Sequence, residues 1–319
     1  MFLKNGFFPE NKFWKYLVGS GIIIFAAILG QIPISVAAAV KVLSNNKIAF
    51  PSTDKELMDL FEPNLGLFLI MLNFVAAFIG IVIVVRHFHK QTLLSVTTSR
   101  PKVDWSRIFF SFTIWAIFSA GSVLLTYYAS PETYTMNFKP IPFLILAIIG
   151  ITMIPIQTST EEFVFRGYLM QGFALLAKNK WFPLVMTSVI FGGMHIFNPE
   201  VSKMGYIVMV YYIGTGFFLG ILTLMDEGME LALGFHAANN LVTALLVTSD
   251  WTAFQTHSIF KDTSSPSVGY EVLIPIFVIF PILLFIFSKK YKWTDWKEKL
   301  TGNIVVESEE PLQNSESYE

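Results

Sequence analysis

The feature that most constrains this chain is a series of eight long apolar runs separated by charged connectors. They cover roughly 16–43, 65–86, 107–129, 141–174, 181–198, 205–225, 231–249 and 268–288. Each is at or near the ~20 residues that carry a helix across the hydrocarbon of a bilayer. Peptide groups find no partner in lipid, so a spanning segment must close its own hydrogen bonds; strands of a barrel would be about ten residues long and alternate in polarity. The fold class expected is all-α: a polytopic transmembrane helix bundle of about eight spans. Pro33, Pro155 and Pro275 interrupt three runs, breaks that bundle interiors tolerate.

Composition agrees. Hydrophobic residues make up 54% of the 319 and charged residues only 14%, against about 25% charged in a soluble domain. This excludes a disordered chain, a small disulfide scaffold and a nucleic-acid partner. Cysteine is absent, which removes disulfides, thiolate metal sites and cysteine nucleophiles. The first run is too long for a signal-peptide core and lacks a cleavage site, so it reads as a retained span.

The net charge of −1 says little, but its distribution orients the bundle. Lys4, Lys12 and Lys15 precede the first run. Arg86, Lys90, Arg100, Lys102 and Arg107 follow the second, Lys178 and Lys180 the fourth, and Lys289, Lys290, Lys292, Lys297 and Lys299 the eighth. The alternate connectors are mixed or acidic. With eight spans all basic clusters fall on one face, so the positive-inside rule places both termini in the cytoplasm. His87 and His89 fall in a basic loop. Residues 1–140 form a three-span N-terminal region, 141–290 a transmembrane core that holds the polar residues, and 291–319 a cytoplasmic tail, disordered after about 301.

Ionisable groups inside a membrane are costly and mark function. Here they cluster in three late segments. In Glu161-Glu162-x-x-x-Arg166, Glu162 and Arg166 share a helix face and can pair, which leaves Glu161 for another task. His195 follows Phe191-Gly192-Gly193-Met194. His236 and Asn240 lie one turn apart, with Asn239 beside them. Each alone has a plainer reading: surface charge on a loop, a hydrogen-bonded structural histidine, an interhelical polar clamp. Together, a carboxylate and two imidazoles form a kit for activating water, with Asn240 or Asn239 available to an oxyanion. The same kit could hold a divalent metal such as zinc through Glu161, His195 and His236, or use no metal at all. The arrangement requires the fourth run to continue through Pro155, since a helix that stopped there would keep the three groups apart.

These three motifs, in this order, resemble those of the CPBP family, the CAAX-processing and bacteriocin-processing (Abi) intramembrane proteases. The resemblance covers about residues 140–250. It implies Glu161 as the water-activating glutamate with His195 beside it, His236 and Asn240 at the oxyanion, and Glu162 and Arg166 in support; Asn239, from its place beside that pair, joins the supporting residues. It implies an endopeptidase acting on a membrane-associated peptide or protein. Within the family, prenylated CAAX proteins are cut in eukaryotes, while bacterial members are linked to peptide maturation, signalling and bacteriocin immunity. The Lys, Asn, Ile and Phe usage fits a bacterial plasma membrane. HExxH is absent, as are the motifs of intramembrane aspartyl and rhomboid-like serine proteases. The alternative is a non-catalytic membrane scaffold or immunity factor that binds a peptide or partner protein. A transporter fits less well, because no paired repeat accompanies the broken helices. Oligomeric state is not legible.

Overall fold

The computed structural model describes residues 1–45, 49–252, 255–265 and 269–305. A 3-10 turn at Phe2–Gly6 leads into α1 (Phe13–Gly30) and α2 (Ile32–Ser44), which meet at Gln31. After α3 (Asp54–Asp59) comes α4 (Pro63–Ile83), extended by a π-helical turn at Val84–Phe88. Then follow α5 (Leu93–Thr97), α6 (Trp105–Ala129) and α7 (Pro140–Glu162). A second π-helical segment, Phe163–Leu169, joins α7 to α8 (Met170–Ala177). The chain continues through α9 (Trp181–Gly193), α10 (Pro199–Met204), α11 (Val208–Asp226) and α12 (Glu230–Leu246). A third π-helical segment, Pro275–Ile279, opens α13 (Phe280–Tyr291), and α14 (Trp296–Thr301) follows.

Among the described residues, five helical stretches are long and apolar enough to cross a membrane: Phe13–Ser44, Pro63–Phe88, Trp105–Ala129, Pro140–Ala177 and Val208–Asp226. The protein is thus a multi-pass helical membrane protein, with five rather than eight long spans among the described residues. Three expected runs come out short for local reasons. The run at 181–198 ends as a helix at Gly193, where a glycine pair and then Asn198-Pro199 stop it. The run at 231–249 is a 17-residue helix that passes into a strand at Val247. The run at 268–288 begins outside the described residues and becomes a regular α-helix only at Phe280. The fourth run, in contrast, continues through Pro155, which lies inside α7.

The bundle is built by adjacent pairs. α1 packs on α4, α4 on α7, α7 on α12, and α12 on α6, while α9 and α11 form a second pair that meets α12 through α11. Two crossings depend on glycine. A Cβ on Gly234 of α12 would overlap the Ile108 carbonyl of α6, and one on Gly216 of α11 would lie 2.8 Å from the Ser188 carbonyl of α9. Removing the side chain lets backbones approach where packing must hold helices together in lipid. The largest apolar cluster joins Trp115, Phe191, Phe218, Phe235 and Phe280.

The N-terminal turn meets the last described residues. Phe2 and Leu3 share a cluster with Ile304, and Leu300 packs against it. The Phe2 N–H donates to Glu227 at 2.6 Å, and Lys299 pairs with the same carboxylate at 3.5 Å. Residues 302–305 are therefore fixed to the bundle, with Asn303 bridged to Asn179; the acidic tail expected to be disordered, at 306–319, lies outside the described residues. At the same end, Arg100 and Arg107 pair with Asp226, and Arg100 also with Glu230. Asp104 caps α6; the Ser106 hydroxyl bonded to it, with Arg107 and backbone N–H groups, holds its carboxyl below the usual range against the opposing effect of burial. At the opposite end, a small sheet of order β1-β3-β2 departs from an all-helical chain. In it β3 (Phe260–Asp262) pairs antiparallel with β1 (Tyr134–Met136) and parallel with β2 (Val247–Ser249).

Candidate active site

Three helical segments bring the sequence motifs together. α7 carries Gln157 and Glu161 on successive turns and ends at Glu162. The π-helical segment that follows carries Arg166; such bulges recur at functional sites because they re-aim side chains. α12 carries His236, Asn239 and Asn240.

Glu162 and Arg166 are fully buried and paired, Nη1 to Oε1 at 3.0 Å. The second Arg166 terminal nitrogen donates to the Gly216 carbonyl at 3.1 Å, and the guanidinium lies 4.4 Å from the Phe191 ring centroid. The same Glu162 Oε1 stands 2.7 Å from His236 Nδ1. A carboxylate only accepts, so partner chemistry assigns the hydrogen to Nδ1. Nε2 then faces Glu161 Oε2 at 3.4 Å. His236 thus stands between the two neighbouring glutamates, which the sequence spacing did not indicate.

Glu161 is also held from its own helix: the Gln157 side-chain amide donates to Oε1 at 2.6 Å. Asn240 donates to the Gln157 carbonyl oxygen at 3.0 Å, and Asn239 to Asn240 at 3.0 Å. Gln157 is the polar residue that sequence reading missed. It sits four before Glu161, on the same face, so its spacing was a usable signal.

His195 lies in the turn just beyond α9 rather than inside a helix. Its Nδ1 is 2.8 Å from the Phe191 carbonyl, which again assigns the hydrogen to Nδ1 and leaves Nε2 free of that bond. The ring stacks on Tyr212, centroids 4.3 Å apart. Phe191 touches the rings of both His195 and His236.

A cavity of about 390 Å³ joins these groups, lined by Gln157, Glu161, His195, His236, Asn239 and Asn240 among mainly apolar neighbours. Its far wall comes from α1 and α4, the N-terminal region that carries no motif. Two of its lining residues, Ile24 of α1 and Met194 of the turn after α9, are 60% and 70% exposed.

The fit to a metal fails on the donor set. Among the described residues no three His, Cys, Asp or Glu side chains assemble to hold an ion, so Glu161, His195 and His236 do not make a ligand group. Both nitrogens of His236 already face carboxylates, and Glu161 Oε1 is taken by Gln157.

His89 lies in the basic loop that follows Phe88, as expected, and is buried there, with Nδ1 2.8 Å from Asn11 Oδ1 and Nε2 2.8 Å from the Tyr168 hydroxyl.

Residues 137–242 match the family model for type II CAAX prenyl endopeptidase Rce1-like proteins. The chain is 30% identical over 240 residues to the uncharacterized protein YyaK of Bacillus subtilis (strain 168), an overlap of 75% of this chain and 79% of that protein. No solved structure matches. The chain belongs to the family of YyaK, and the Rce1-like region contains every motif residue described above.

Proposed function

We propose that the protein is an intramembrane endopeptidase that hydrolyses a peptide bond in a membrane-associated peptide or protein by glutamate- and histidine-activated water. The observation that carries this reading is the position of His236 between Glu162, at 2.7 Å, and Glu161, at 3.4 Å, inside a mainly apolar cavity shared with His195.

The chemistry follows from the roles these contacts permit. Glu161 takes a proton from water placed near His195. That water attacks the scissile carbonyl, and the proton is held between Glu161 Oε2 and His236 Nε2. Glu162 stabilises the imidazolium through Nδ1, as the carboxylate partner of a catalytic histidine does in hydrolases of other folds. The second amide hydrogen of Asn240 is the donor to the oxyanion, the first being engaged by Gln157, and the imidazolium, whose two N–H groups are held by Glu161 and Glu162, adds only its charge. Glu161 then returns the proton to the leaving amine. Arg166 touches none of the reacting atoms; it compensates the charge of Glu162 and thereby fixes His236.

A cavity wall formed partly by the exposed apolar residues Ile24 and Met194 suits a substrate that arrives within the bilayer. On the positive-inside rule, the end with the Arg100–Asp226 network is cytoplasmic. His236 lies six residues along α12 from Glu230, about 9 Å inward of that network. This is a site in the cytoplasmic half of a bacterial plasma membrane, with peptide maturation, signalling or bacteriocin immunity as its context. The test is hydrolysis by purified wild type and a folded Glu161→Gln variant of internally quenched apolar peptides in micelles. Loss of cleavage in the variant supports the assignment, and undiminished turnover removes Glu161 from the chemistry. A non-catalytic receptor would instead bind peptides equally well in both forms and cut them in neither.

A further inference from the structure

Trp115 belongs to α6, outside every motif, and is 6% exposed. Its indole Nε1–H donates to Asn239 Oδ1 at 3.1 Å. From there the chain of contacts described above runs through Asn240 and Gln157 to Glu161 Oε1. All four bonds point the same way. An indole nitrogen can only donate and a carboxylate can only accept, so the two ends dictate the orientation of all three carboxamides between them. Reversing any one amide would set donor against donor or acceptor against acceptor.

We propose that Trp115, Asn239, Asn240 and Gln157 form a one-way hydrogen-bond relay that grips Glu161 by Oε1 and reserves Oε2 for His236 and the reacting water. The inference rests on Glu161 being the general base. Trp115 and Gln157 are then positioning residues, acting through Glu161 rather than on substrate.

The physical need is clear. The terminal torsion of a glutamate is broad and soft, so helix geometry does not decide which oxygen faces the cavity. A misplacement of about 1 Å can cost roughly 10²-fold in rate. Amides in series polarise one another where the dielectric is low, which stiffens the last bond. The relay also holds Asn240 in register with Glu161, so base and oxyanion donor move as a unit. It links α6, α12 and α7, three helices whose facing surfaces are otherwise mainly apolar.

A simple interhelical clamp would use the same residues, but its members would act independently. The distinguishing measurement is the ¹⁵N-indole spectrum of the full-length protein in micelles. The chain has seven tryptophans, and the resonance lost in Trp115→Phe identifies the one at issue. The relay predicts that this resonance shifts in Glu161→Gln and in Gln157→Leu, and that Glu161→Gln no longer moves it once Gln157 is Leu. A resonance indifferent to both changes overturns the relay.

Kinetics with the quenched peptides give the second readout. Gln157→Leu should lower kcat about 10²-fold and Trp115→Phe about fivefold, with KM within about twofold, and the double variant should be no slower than Gln157→Leu. Losses that multiply, or that fall on KM, point to separate packing defects and reject the proposal. A coupled indole in a protein that cleaves nothing would remove the peptidase reading and leave the relay standing; cleavage with an uncoupled indole would do the reverse.

Discussion

Arg166→Met tests the foundation of the site. Methionine keeps the stem and removes the guanidinium. Three contacts vanish: the 3.0 Å pair with Glu162, the 3.1 Å bond to the Gly216 carbonyl and the 4.4 Å approach to the Phe191 ring. Both charges of the pair have side chains wholly shielded from solvent, so solvent offers Glu162 no substitute and only the His236 Nδ1–H, at 2.7 Å, still faces its carboxylate. Removing one member of such a pair costs about 3–5 kcal/mol, most of it from the stranded charge. That is a large share of the roughly 5–15 kcal/mol that holds a typical protein folded. Glu162→Gln alone leaves Arg166 without its anion and should cost roughly 3 kcal/mol. The double variant strands no charge and should recover at least about 2 kcal/mol relative to the sum of the singles. Reversible unfolding by sodium dodecyl sulfate in mixed micelles, followed by tryptophan fluorescence, measures all three. A loss below about 1 kcal/mol in Arg166→Met, or strict additivity in the double variant, would refute the argument that this pair is a buried unit.

Three further outcomes follow from other parts of the structure. Burial, with help from the positive charge of Lys15, pushes His89 down to about 4 from 6.5. The folded state therefore binds this proton less readily than the unfolded chain, and the stability it contributes is present above about pH 6.5 and is lost as pH falls towards 4, by roughly 3 kcal/mol at most; unfolding midpoints across that window should fall in the wild type and flatten in His89→Gln. Gly234→Ala drives a methyl group into the Ile108 carbonyl and should lower stability by about 2 kcal/mol, whereas Gly121→Ala, with nothing within 4 Å, should leave the unfolding midpoint nearly unchanged. Tyr212→Leu removes the ring stacked on His195 and should reduce kcat about tenfold, while Tyr212→Phe keeps the stack and should stay within about twofold of wild type in the same peptide assay.

The motifs were legible because a helix repeats every 3.6 residues: Glu162 with Arg166 and His236 with Asn240 are spaced to share faces. The buried ion pair followed directly. The contact between His236 and Glu162 did not, since it joins residues 74 apart and depends on how α7 crosses α12. Trp115 was invisible for a related reason. α6 scatters small hydroxyl residues among its apolar ones, so Ser111, which shares the face of Trp115 and donates to the Leu231 carbonyl of α12, did not stand out, and the Asn239 bond spans 124 residues. Hydropathy overcounted the long spans because it averages over Gly192-Gly193 and Asn198-Pro199, residues whose effect is to end a helix rather than to lower its apolarity. The burial of His89 was not legible because its neighbours Arg86, His87 and Lys90 are basic, while its partners Asn11 and Tyr168 lie far away in sequence. Two of the basic clusters read from the sequence do lie at one end of the bundle, where Glu227 joins Phe2 to Lys299 close to Arg100 and Arg107.

The central claim is that Glu161 and His236 activate water against a peptide bond. Cleavage of the quenched apolar peptides in ¹⁸O-labelled water, read by mass spectrometry, addresses it most directly. Wild type should generate new carboxyl termini that carry one ¹⁸O, and Glu161→Gln should form them at least about 10³-fold more slowly while unfolding at the wild-type midpoint. Equal label incorporation by the two proteins would contradict the claim.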